Sequence, residues 1–117
     1  MASFHEVLGI ALIGVCAASS VAGFVAYRRR RGGAVVAHAL ALSQTLLIGQ
    51  AALGLLLLSD HKRAPDRLHY AYGAFALGAA LSPWFYAPAE GPKRLLWFAG
   101  TTLLAGALAV RAFMTGL

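Results

Sequence analysis

The chain has 117 residues, of which 60% are hydrophobic and 12% charged, with a formal net charge of +6. A soluble domain of this size leaves much of its surface in water. The composition therefore excludes an ordinary water-soluble fold and points to a single membrane domain, in which apolar side chains face outward and inward alike.

Four apolar stretches predict an all-α integral membrane protein with spans at about 7–27, 34–58, 68–87 and 93–113. Each holds roughly 16 to 25 residues without a formal charge, which at 1.5 Å rise per residue matches about 30 Å of hydrocarbon. The connectors 28–33, 59–67 and 88–94 are short, so consecutive helices should be antiparallel neighbours in an up-down-up-down bundle.

The first stretch has no Lys or Arg ahead of it, and the positive charges follow it, so it reads as a retained span rather than a signal peptide. Neither Ala2 nor the C-terminal sequence offers a lipidation motif. Cys16, the only cysteine, lies mid-run, which excludes an intramolecular disulfide and suits a buried small apolar role. Gly14 with Ala18 and Ser19 with Gly23 are small-xxx-small pairs, which let helix backbones approach.

On the second span His38, Thr45, Gly49 and Ala52 share one face, and Ser43, Gln50 and Gly54 another. Two polar-plus-small faces predict protein contact on both sides, because Gln50 facing lipid is costly. Pro65 and Asp66 suit the start of the third span, as Gly91 and Pro92 suit the start of the fourth. Ala74 and Gly78 make another small pair, and Pro83 should kink or end the third helix.

If the connectors alternate sides, Arg28, Arg29, Arg30, Arg31, Lys93 and Arg94 share one face, and Lys62, Arg63, Arg67 and Arg111 the other. The positive-inside preference then puts both termini outside. Tyr27, Trp84, Tyr86 and Trp97 form an aromatic belt at the arginine level, with Tyr70 and Tyr72 at the opposite interface. Basic residues at span ends favour anionic lipid headgroups and exclude nucleic acid as a partner. The run 28–31 reads as a topology anchor in contact with lipid or an acidic partner. Ser43, Gln50 and Arg111 join it as candidate lipid or partner contacts.

His5, Glu6, Asp60, His61, Asp66, His69 and Arg111 all fall at the outer helix ends, and that convergence is the main chemical signal. Imidazoles and carboxylates bind transition metals, ligate haem iron and relay protons. Candidate metal ligands are His5, His61 and His69. Candidate haem ligands are His5 and His69, which lie at similar depth, with Gly73, Ala76 and Ala80 continuing the His69 face and leaving room for a flat ligand. His38 is excluded as a partner by about 30 Å of helix. Arg111 is expected to snorkel outward or to pair with Glu6, Asp60 or Asp66.

In scattered positions, the stretch 40–58 led by His38, together with 68–73, resembles the histidine-led helices of haem A synthase and other haem-binding four-helix membrane proteins. No contiguous motif is shared, so no residue role is carried over.

Three functions follow in order. The first is a non-catalytic accessory or assembly subunit of a larger bacterial inner-membrane complex, of respiratory or photosynthetic electron-transfer type, with other membrane subunits or further copies of the chain as partners. The second is a haem- or metal-binding protein using the outer histidines. The third is a small dimeric transporter, since the chain resembles small multidrug transporters in length and span number. Those need a membrane-embedded acid, and Glu6 lies only at the edge of the first span. No catalytic motif supports an enzyme.

Overall fold

Long apolar runs bond their backbone polar groups within themselves, and all four fold as helices. The computed structural model describes residues 2–29, 33–59, 66–89 and 92–116. Arg30, Arg31, Asp60, His61, Lys62, Arg63, Pro65 and Gly91, which figure in the reading above, lie outside the described residues. The helices are α1 (Ala2–Arg28), α2 (Ala34–Ser59), α3 (Leu68–Leu81), the single turn α4 (Pro83–Tyr86) and α5 (Pro92–Thr115). Three of them, α1, α2 and α5, are long and apolar enough to cross a membrane.

The third apolar stretch is a helix interrupted at Ser82 and Pro83 rather than one unbroken span. α3 has 14 residues, only about 21 Å of helix. At Pro83 the missing N–H leaves the Ala79 carbonyl without its usual donor, and Ser82 supplies one, its Oγ lying 2.8 Å from that oxygen. α4 then carries the chain a further turn. The other boundaries run longer than the spans expected from hydropathy, α1 from Ala2 and α5 from Pro92 to Thr115, because charged and polar residues at a helix end leave its backbone ladder intact.

Contacts between named residues fix the directions. The start of α1 meets the end of α2, where Gln50 Nε2 donates to the His5 carbonyl at 2.7 Å, and nearer the other end Ser19 Oγ donates to the Ala39 carbonyl at 3.0 Å. The start of α3 meets the end of α5 through His69 and Ala112. Neighbours in sequence are thus antiparallel neighbours in space. α5 packs along α1 and α3, α2 packs chiefly on α1, and α1 and α3 stand diagonally opposite.

The interior is built from small side chains. Cys16, Ala76, Ala80, Ala99, Ala105, Ala109 and Ala112 are buried, with Leu12 and Leu47 filling the centre. A Cβ on Gly23 would stand 2.8 Å from that of Ala99, so α1 and α5 touch backbone to backbone there. Large apolar residues lie outside instead: Phe75 is 63% exposed, Leu55 68% and Phe85 79%. A solvent as apolar as leucine permits that distribution, whereas water opposes it.

The small-xxx-small pairs divide by use. Ser19 and Gly23 lie inside the bundle, while Gly14, Ala18, Ala74 and Gly78 are exposed. On α2, Ser43 is fully buried and Gln50 and Gly54 turn toward α1. Thr45 and Ala52 face outward. Ser43 and Gln50 thus act as packing and bonding groups within the bundle.

Candidate functional site

Four helix ends converge at one end of the bundle: the start of α1, the end of α2, the start of α3 and the end of α5. His5 and His69 reach across the diagonal there, with ring centroids 6.0 Å apart and planes at 79°. The juxtaposition expected from depth is present.

Each ring has a local reason for its place. The last carbonyls of a helix carry the negative end of its dipole. His69 Nδ1 lies 2.6 Å from one of them, Ala112 O on α5, which also accepts from Gly116 N–H at 3.0 Å and Thr115 Oγ1 at 3.1 Å. A carbonyl only accepts, so the ring donates Nδ1–H, and its neutral form keeps the lone pair on Nε2. Gly116 permits the approach, since a Cβ there would come within 2.7 Å of His69 Nδ1. Tyr70 meets the same ring edge-on at 5.6 Å.

His5 sits against α2, where a Cβ on Gly54 would stand 3.4 Å from its Cε1. Gln50 holds the His5 backbone, which orients the amide: Nε2 donates and Oε1 is left over. Both Gln50 Oε1 and His5 Nδ1 are buried without a hydrogen-bond partner. Beneath them Gln50 and Phe113 close around Gly9, whose added Cβ would meet Gln50 Nε2 at 3.1 Å and Phe113 Cδ2 at 3.8 Å.

The charged residues expected here are arranged differently. Arg111 is exposed, with its guanidinium 5.6 Å from the centroid of the Tyr72 ring. No ion pair joins it to Glu6 or Asp66 among the described residues. Asp66 is occupied otherwise, its Oδ1 accepting the Leu68 N–H at 2.9 Å at the start of α3. His61, the third expected metal ligand, and Asp60 lie outside the described residues. Within those residues no group of three or more His, Cys, Asp or Glu side chains is placed to hold a metal ion.

The opposite end carries aromatic and basic groups. Arg94 stands over Trp84 at 5.4 Å and Phe98 at 5.1 Å and donates to the Pro88 carbonyl at 3.2 Å. Arg28 and Arg29 are exposed at the end of α1, and His38 is exposed near the start of α2.

One polar group escaped the sequence reading. Gln44 donates through Nε2 to the Ala80 carbonyl at 2.9 Å and accepts from Trp84 Nε1 through Oε1 at 2.8 Å. A single amide thus bridges the two sides of the Pro83 break. The available signal was a glutamine inside one span and a proline inside its neighbour.

No family model, no curated protein and no solved structure matches the chain.

Proposed function

We propose that the chain is an integral membrane subunit whose helices cross the bilayer four times, α3 and α4 together forming the third crossing, and that it packs as a non-catalytic accessory or assembly component on a larger membrane complex. The observation that carries this reading is the pair of small-residue faces the bundle does not use. Gly14 on α1 and Gly78 on α3 have nothing within 4 Å of an added Cβ, and Ala18 and Ala74 extend each into an exposed small-xxx-small face. Such faces admit a second helix at close range. An open apolar groove of about 380 Å³ on α5, lined by Leu96, Trp97, Gly100, Thr101 and Leu104, offers a further seat.

The positive-inside count supports both termini outside, in a bacterial inner membrane. Native mass spectrometry of the protein extracted from its own membrane tests the proposal. A stoichiometric partner, sought first among respiratory and photosynthetic electron-transfer complexes, supports it. A lone monomer at native abundance sinks it.

A further inference from the structure

We propose that His5 and His69 form a two-nitrogen site for a single copper(I) ion at the outer end of the bundle. The inference is independent of the accessory-subunit reading. It starts from how the rings are held.

Imidazoles that ligate a metal through one nitrogen almost always donate the other N–H to a carbonyl, carboxylate or water, which fixes tautomer and orientation. His69 already has that arrangement, with Nδ1–H on Ala112 O at 2.6 Å and the Nε2 lone pair free. His5 has its elements: a buried Nδ1 without a partner beside a buried Gln50 Oε1 without a partner, on an amide whose other end is fixed to the His5 carbonyl. A small turn of the ring pairs donor with acceptor. That leaves the lone pair of His5 on Nε2 as well.

Two neutral imidazoles so held each keep an Nε2 lone pair on neighbouring rings, and a cation is the natural complement. The ring centroids are 6.0 Å apart, a span that two metal–nitrogen bonds of about 2 Å each bridge when they are nearly collinear. Near-linear coordination by two nitrogens suits copper(I). Zinc(II) wants four ligands in a tetrahedron, twice what the pair supplies. Charge favours the same choice, because the cost of bringing an ion into a low-dielectric region rises with the square of its charge. Gln50 and Phe113 crowd Gly9 one turn below His5, so a macrocycle could not reach into the bundle there.

The test uses the full chain in detergent micelles, titrated anaerobically with copper(I) against a chromophoric copper(I) chelator. One equivalent should bind. His5→Gln and His69→Gln should each weaken binding by at least about 30-fold, and Gln50→Leu, which removes a positioning group, by about 10-fold. His38→Gln, at the other end, should change nothing. X-ray absorption of the wild-type complex, which does not depend on any variant folding, should show two imidazole nitrogens at about 2 Å and no sulfur. Failure to compete with the chelator, retention of wild-type affinity in folded His5→Gln or His69→Gln, loss in His38→Gln, or a sulfur ligand would each overturn the site.

Discussion

Replacing Gln44 with methionine keeps the length of the side chain and deletes both of its hydrogen bonds. The Ala80 carbonyl loses a donor at 2.9 Å and the Trp84 indole loses an acceptor at 2.8 Å. Side-chain hydrogen bonds between membrane helices average about 0.6 kcal/mol and reach about 1.7, so two of them are worth about 1 to 3 kcal/mol. Exposure decides how that divides. Gln44 is only 7% exposed, so nothing replaces it at Ala80, whereas Trp84 is 60% exposed and its N–H recovers an acceptor from water or headgroups. Trp84→Phe keeps a ring beneath Arg94 and should cost well under 1 kcal/mol, on the scale of an exposed hydrogen bond. Unfolding of both variants by dodecyl sulfate in mixed micelles, followed by helical circular dichroism, measures the difference. If Gln44→Met proves no more destabilising than Trp84→Phe, the amide does not brace the break at Pro83 and the reasoning fails.

Gly23→Ala should destabilise the bundle by about 1 to 3 kcal/mol in the same assay, because the new methyl meets Ala99 at 2.8 Å, while Gly14→Ala, with open space around it, should stay within about 0.5 kcal/mol. Equal effects would mean that α1 and α5 are not in backbone contact. Pro83→Ala restores a backbone donor for Ala79 and should join α3 and α4 into one bonded helix, moving Trp84 relative to Gln44 and shifting the tryptophan emission; an unchanged spectrum would mean that Pro83 does not set the break. Single cysteines introduced at Ser3 and Thr115 in a Cys16→Ala background should both label with an impermeant maleimide from outside intact cells, and labelling only after lysis would reverse the proposed orientation.

Helix number, order and direction were legible in the sequence, because apolar length and short connectors leave few alternatives. Pro83 as a break and His5 with His69 as a pair were legible too, from proline chemistry and from depth. What hydropathy could not supply was azimuth. Three small-xxx-small pairs look alike as text, yet only Ser19 with Gly23 lies in the bundle. Gln50 stood out as the polar residue of α2, while Gln44, six positions earlier, bonds to both sides of the Pro83 break on a different helix. Arg111, expected to snorkel outward or to pair with a carboxylate, is exposed and lies over the Tyr72 ring. In each case the partner sits on another helix, at a rotation the linear chain does not encode.

The distribution of small residues inside and large ones outside reverses the usual logic of a mutational scan. Alanine is already the residue at most core positions, so truncation to alanine would report mainly on side chains that touch lipid and would miss the interior. A leucine scan would be informative where an alanine scan is silent. Tolerance to added bulk, read position by position, would separate the crowded seam of α1 with α5 from the vacant faces of Gly14 and Gly78. In the native membrane, a position that rejects leucine although the isolated bundle accepts it would mark where another protein sits.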